Sequence, residues 1–327
     1  MRILITGITG MVGSHLAEYV LREHPGVEVH GLVRWRSPLE HIHAVRNRVH
    51  LHDAELRDLN SMIRLLEEVR PERIFHLAAQ SYVQTSFRAP ADTLHTNVIG
   101  TTNLLEAIRH VGIDPKVHIC SSSEVYGQVR EDEVPIRETN EFRPASPYAV
   151  SKTGEDMVAL QYFLSWGIRT VRTRMFTHTG PRRGDVFAES AFAKQIAEIE
   201  AGVRRNPMKV GNLDSVRTFA DVRDAVRAYW LLLEHCPGGE VYNIGGDRTM
   251  LVGEMLDLLR GMARCEIHHE VDASLVRPSD VTLQIPDVSK FRDATGWKPE
   301  ISLEQTLHDL LDYHRNRVAP DSPRAAA

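Results

Sequence analysis

Three short stretches of the chain hold residue types at spacings that could do chemistry. Tyr148 and Lys152 stand four residues apart in PYAVSK, a spacing that sets both side chains on one face of a helix. An ammonium at that range stabilises a tyrosinate. It is expected to lower the phenol from about 10 towards working pH and so make Tyr148 a general acid or base. Ser122 and Ser123, at the end of an apolar run, and Glu124 directly after them add two hydroxyls and one carboxylate. The third stretch is TGITGMVG, residues 6–13, where Gly7, Gly10 and Gly13 lie between an apolar run and a helical pattern. In a strand–turn–helix setting the first glycine permits the tight turn. The second lets backbone approach a diphosphate, and the third lets the helix pack on the strand. The diphosphate would rest on the amides at the helix start, around Thr9, Gly10, Met11 and Val12.

The second apolar run ends in GLVRWRS, residues 31–37. A site for NAD commonly places a carboxylate there, which accepts from the ribose 2′-hydroxyl. No acid is present. Arg34 and Arg36, with Ser37, suit a 2′-phosphate through charge-assisted bonds. NADP is therefore the expected cofactor, with NAD left open.

The elements that must position these residues follow from hydrophobic periodicity. Apolar strands are expected at 2–6, 27–33, 48–52, 73–77, 116–121 and 169–174, with helices at 12–21, 59–69, 93–110 and 147–166. Such alternation implies βαβ units. The expected fold class is α/β: a Rossmann-type, doubly wound parallel sheet with a smaller C-terminal α/β substrate lobe. Residues 1–174 are assigned to the dinucleotide-binding domain and 175–318 to the lobe. Part of 213–245 is expected to return to the first domain, through a strand at 241–244, and 319–327 is read as a frayed tail. Helices are expected in the lobe at 191–201, 222–233, 252–262 and 303–315.

Composition narrows the function. The 327 residues are 42% hydrophobic and 25% charged, enough to bury a core. Lys plus Arg is 39 and Asp plus Glu is 44, a net charge of −5, which argues against a nucleic-acid binder that works by bulk charge. Cys120, Cys236 and Cys265 are far apart and form no CxxC pair, so a reducing cytoplasm is expected. No apolar run approaches a membrane span or a signal peptide. His41/His43 and His268/His269 lack the spacing of a helical metal pair, and no metal is expected.

These motifs, with IFHLAAQSYVQTSF, SSSEVYG, VGNLDSVRTF, RPSD and TGWKP, carry a resemblance over roughly residues 1–315. The chain resembles the extended short-chain dehydrogenase/reductases that act on nucleotide sugars. Within them it is most similar to the GDP-mannose 4,6-dehydratases and the related GDP-4-keto-6-deoxymannose reductases. The resemblance implies that Tyr148 acts at the sugar 4-hydroxyl, that Lys152 tunes it and holds the nicotinamide ribose, and that Ser122 bonds the same oxygen. It implies Glu55 and Leu56 as the adenine-binding pair, and Leu77, Ala78 and Ala79 as cofactor lining. Asn97 would pack beside the site. Ser123, Thr177, Arg217 and Arg277 would contact the substrate, the two arginines at its diphosphate. Thr177 stands where the family usually has Asn.

For a dehydratase the resemblance implies oxidation at C4 by hydride transfer to NADP. Glu124 then removes the C5 proton and protonates the departing C6 hydroxyl, and hydride returns to C6. The expected substrate is a nucleotide-diphosphate sugar, GDP-linked, with no nucleic-acid or membrane partner. A GDP-4-keto-6-deoxy-D-mannose reductase and a nucleotide-sugar epimerase are the alternatives. A non-catalytic dinucleotide sensor would have lost Tyr148 or Lys152, which are both present. The family forms dimers through paired helices, here 93–110 and 147–166. Arginines of a loop like Arg182–Gly184 help bind cofactor across subunits in the dehydratases, so a homodimer or homotetramer is expected.

Overall fold

A computed structural model of the chain describes residues 1–276 and 281–318. Arg277 and the tail expected to fray, 319–327, lie outside the described residues. The first half alternates β1 (Arg2–Thr6), α1 (Met11–Glu23), β2 (Glu28–Val33), β3 (His50–Asp53), α2 (Leu59–Val69), β4 (Arg73–His76), α3 (Val83–Arg88), α4 (Pro90–Leu94), α5 (Gly100–Val111), β5 (Lys116–Ser122), α6 (Pro147–Trp166) and β6 (Thr170–Met175). Then follow β7 (His178–Thr179), α7 (Ala188–Glu200), β8 (Met208–Val210), β9 (Val216–Thr218), β10 (Ala220–Asp221), α8 (Val222–His235) and β11 (Val241–Ile244). The chain continues through β12 (Thr249–Leu251), α9 (Val252–Gly261), β13 (His269–Val271), β14 (Leu283–Gln284), α10 (Ser289–Thr295) and α11 (Leu303–Val318).

Seven strands form one parallel sheet in the order β11-β6-β5-β4-β1-β2-β3. It is the Rossmann-type doubly wound sheet that the alternation implied. Side chains of a strand alternate between faces, and β1 shows the consequence. Ile3 and Ile5 join one core with Leu16 and Val20 of α1 and Tyr229 and Leu233 of α8. Leu4 joins the other, with Leu66 of α2, Leu105 of α5 and Tyr162 of α6. Burying both faces demands near-continuous apolar strands, which is why β1 reads RILIT. The strand β11 pairs in parallel with β6 across Val241↔Arg172 to Ile244↔Met175. A third core joins α7, α9 and α11 through Phe192, Ile196, Met255, Leu307 and Leu311.

Local chemistry fixes the helix ends. Asp58 caps α2 by accepting from the amides of Asn60 and Ser61, and Ser146 caps α6 by accepting from Ala149. Gly112 and Gly167 end α5 and α6 at positive φ. The single helix expected at 93–110 is instead α4 and α5 joined by a π-helical turn, His95–Ile99, whose Asn97 is buried. Among the described residues, no helix is long and apolar enough to cross a membrane.

Candidate functional site

The carboxyl ends of the sheet strands open into a cavity of about 1260 Å³, lined also by residues of α7, β8 and β9. In an open α/β sheet this is where ligands bind. The glycine turn forms one wall. Gly7 has φ +72°, and a Cβ on Gly13 would come within 2.2 Å of the Gly7 carbonyl, so a side chain there would force α1 off the turn. Gly7, Thr9, Gly10, Met11, Val12 and Gly13 all line the cavity. This wall fits a dinucleotide diphosphate.

The next wall is the end of β4. The Leu77 and Ala78 amides both donate to Thr6 Oγ1, at 3.1 Å each, which curls the chain so that Leu77, Ala78 and Ala79 face the cavity. Asn97 accepts from the Gln80 amide at 2.8 Å and donates to the Gln80 carbonyl at 3.0 Å and to Ser151 Oγ at 2.8 Å. The π-helical turn thus ties this loop to α6, one residue from Lys152. Such turns recur at functional sites.

At the adenosine end, Arg34, Ser37, Glu55 and Leu56 line the cavity. Arg36 does not. Its guanidinium lies over the exposed Trp35 ring, 4.3 Å from the centroid. The alternation of an extended strand would have put Arg34 and Arg36 on one side. The chain turns at this point instead, the Ser37 amide donating to the Arg34 carbonyl at 2.8 Å. Glu55 is bonded by Arg57 through both backbone amide and guanidinium.

Ser122, Ser123 and Glu124 leave β5 in a tight turn, the Glu124 amide donating to Ser122 Oγ at 3.2 Å. All three line the cavity, as do Tyr148 and Lys152 from the first two turns of α6. The Ser122 hydroxyl is near enough to the Tyr148 phenol to pull its ionisation down. Thr177, after β6, and Arg217, on β9, line the opposite wall, where Arg217 donates to the carbonyls of Val216 and Val281.

One expectation needs correction. Tyr148 is not brought below its ordinary value in the free protein. Burial pushes the phenol up and outweighs the Lys152 ammonium and the Ser122 hydroxyl, which both pull it down. Within the chain the arginine loop packs on the glycine-turn helix and on α7. Arg182 folds back on α1, donating to Ser14 Oγ at 3.1 Å and Glu18 at 2.6 Å. Arg183 pairs with Glu189 and covers the Phe187 ring.

Sequence reasoning missed two partners of Lys152. Its Nζ donates to the Cys120 carbonyl at 2.9 Å and to Glu155 Oε2 at 2.7 Å. Glu155 was legible as an i, i+3 neighbour, but a Lys–Glu pair at that spacing ordinarily lies on a solvated face. Among the described residues, no group of three or more His, Cys, Asp or Glu is placed to hold a metal.

The chain matches the family model for GDP-mannose 4,6 dehydratase over residues 4–310. It is 35% identical over 318 aligned positions to a GDP-6-deoxy-D-mannose reductase of Pseudomonas aeruginosa, covering 97% of this chain and 98% of the relative. It is 33% identical to a GDP-mannose 4,6-dehydratase of Yersinia enterocolitica, covering 94% and 92%. That second alignment runs to 348 positions, more than the chain has residues, so the dehydratase carries segments absent from this chain. The solved structure of RMD from Pseudomonas aeruginosa complexed with NADPH superposes with a TM-score of 0.85 at 35% identity, covering 97% of this chain and 99% of that one.

Proposed function

Because the chain belongs to the GDP-mannose 4,6-dehydratase family of extended short-chain dehydrogenase/reductases, we propose that it is an NADP-dependent GDP-hexose 4,6-dehydratase acting on GDP-mannose. The observation that carries this reading is Glu124. It lines the same cavity as Ser122 and Tyr148, where an elimination next to the oxidised carbon needs a second proton-transfer group.

The glycine wall would hold the diphosphate of NADP, Arg34 and Ser37 its 2′-phosphate, and Lys152 its nicotinamide ribose. The bound group would supply a hydride acceptor for C4 and a hydride donor for C6. Ser122 holds the sugar 4-oxygen and Tyr148 takes its proton as C4 is oxidised. Glu124 removes the C5 proton, made acidic by the C4 ketone, and passes it to the C6 hydroxyl, which departs as water. As hydride is returned to C6, C5 takes up a proton from solvent, and Tyr148 releases to solvent the proton it took from the 4-hydroxyl. Arg217 holds the sugar-nucleotide diphosphate, and Thr177 offers that region one hydroxyl. Three cysteines without a disulfide fit a reducing cytoplasm.

A second reading, the GDP-4-keto-6-deoxyhexose reductase, is favoured by the alignment with the Pseudomonas enzyme, which inserts almost nothing relative to this chain. The two are separated by incubating the protein with GDP-mannose, catalytic NADP and no reductant. A dehydratase gives a product lighter by one water and no net NADPH. A reductase is inert under those conditions and oxidises NADPH stoichiometrically when supplied with the 4-keto-6-deoxy sugar.

The assembly we infer is a homodimer. Ile99, Val150, Met157, Leu164 and Trp166 are exposed along the π-helical turn and α6, on the outer side of helices whose inner sides fill the second core. Exposed apolar rows of this kind mark interfaces.

A further inference from the structure

Lys152 is 5% exposed and Glu155 is 1% exposed. An ammonium has three protons. Two of them go to the Cys120 carbonyl and Glu155 Oε2, which leaves one for the cavity that Lys152 lines. Glu155 has spent its hydrogen bonding on this contact, since its Oε1 is buried with no hydrogen-bond partner. A half-satisfied buried carboxylate is costly, and an apolar side chain of that size would commonly be no worse for stability.

The surroundings isolate the pair. Asp156, the next residue of α6, is occupied by Arg172 and Arg174 of β6. His76 of β4 and His118 of β5 are both pushed down by burial to about 3, so they stay neutral. Cys120 of β5 and Tyr229 of α8 are pushed up by burial and stay protonated through neutral pH. Glu124 lines the same cavity. Glu155 is thus the carboxylate that answers the Lys152 charge, about two helical turns from Tyr148.

Resting on Tyr148 as the acid–base group, and not on the choice between dehydratase and reductase, we propose that Glu155 is a positioning residue that shares the Lys152 charge, sets how readily Tyr148 ionises, and aims the remaining Lys152 proton into the cavity. The electrostatics agree in direction. Burial resists the Lys152 ammonium, but Glu155 holds it above the ordinary lysine range. Burial pushes the Glu155 carboxyl itself up to about 7, and its negative charge raises Tyr148. Removing that charge frees the ammonium to stabilise tyrosinate.

The test compares wild type, Glu155→Asp and Glu155→Gln. The readouts are the pH profile of kcat/KM, the tyrosinate absorbance that vanishes in a Tyr148→Phe background, and the dissociation constant for NADPH by fluorescence. Glu155→Gln is expected to move the Tyr148 midpoint down by about one pH unit. For a reaction in which Tyr148 acts as base this raises the acid-limb rate about tenfold. Glu155→Asp, with its carboxylate drawn back, is expected to move the midpoint the same way by less. Both variants should bind NADPH more weakly, because Lys152 is no longer aimed. A midpoint unmoved or raised in both variants overturns the proposal. If Glu155→Gln does not fold, Glu155→Asp decides alone, an unmoved midpoint being the contrary result. A shifted tyrosinate midpoint without turnover of GDP-mannose would uphold Glu155 while sinking the dehydratase.

Discussion

Thr6 Oγ1 and His76 Nδ1 lie 2.8 Å apart, and the proton between them belongs to Thr6. The Thr6 oxygen already accepts from two amides, Leu77 and Ala78, so its hydroxyl must donate. His76 Nδ1 is therefore an acceptor, and its proton sits on Nε2, facing Thr101 Oγ1 at 3.0 Å. Thr101 in turn donates to the Asn97 carbonyl at 2.7 Å. A directed chain of hydrogen bonds runs from the glycine turn through β4 to the π-helical turn.

A histidine locked neutral this way resists acid, so stability should fall on acidification. Burial, helped by the Lys152 charge, pushes His76 from 6.5 to about 3, and burial does the same to His118. His15, His178 and His314 are pushed to about 4, again by burial first. A depressed folded value favours the neutral form. The stability is thus fully present above the unfolded value of about 6.5 and is lost as pH falls towards the folded values. Calorimetric unfolding temperatures are expected to be flat above neutrality and to drop steadily below about pH 6.5. An unfolding temperature unchanged from neutrality to pH 5 contradicts this.

Asp156 is fully buried and joins two residues on one face of β6, accepting from Arg172 at 2.7 Å and Arg174 at 2.8 Å. Arg174 also donates to Tyr126 and to the Glu138 carbonyl, which anchors the chain between β5 and α6. Asp156→Asn leaves two buried guanidinium charges without a counter-ion. It is expected to cost about 3–5 kcal/mol, seen as a fall of roughly ten degrees in unfolding temperature. A loss within one degree would mean that the arginines find other partners.

Arg34 lines the cavity at the adenosine end, as does Arg57, which is engaged by Glu55, while Arg36 stacks on Trp35. Arg34→Ala is expected to weaken NADPH binding by about tenfold to a hundredfold and to leave NADH nearly unchanged, the range of one lost charge-assisted bond. Arg36→Ala should change neither. Equal losses for both cofactors in Arg34→Ala would remove it from the 2′-phosphate.

The exposed row on α6 gives a prediction about assembly. Leu164 is 71% exposed, and an aspartate there should cost the monomer little while disfavouring a buried dimer contact. Light scattering is expected to show a dimer for wild type and a rise in the monomer fraction for Met157→Asp combined with Leu164→Asp. A wild-type monomer at micromolar concentration would contradict the inferred interface.

What the sequence made legible was local. The glycine turn, the Ser122–Glu124 run and the Tyr148–Lys152 pair are each set by a few neighbouring residues on one element, and the structure gathers them in one cavity. Helix α6 and strand β11 begin and end where periodicity and Gly167 placed them. The illegible parts depend on distant partners. Strands β7, β9, β10 and β14 have two or three residues, too few for a period to show. Arg36 lies outside the cavity lining because a turn overrides strand alternation, and the Arg182–Glu18 pair was invisible because its partners lie 164 residues apart. Glu155 was in plain view, but its pairing carries meaning only once α6 is known to bury that side against β5.

The most direct test of the proposed chemistry is isotopic. GDP-mannose deuterated at C4 is incubated with the protein and a catalytic amount of NADP, and the product is read by mass spectrometry and NMR. A dehydratase with Tyr148 and Ser122 at the sugar 4-oxygen, Lys152 at the nicotinamide ribose and Glu124 at C5 returns a 4-keto-6-deoxy product that has lost one water and carries the deuterium on C6. Deuterium lost to solvent or trapped in the cofactor pool, or a substrate recovered intact, would contradict it.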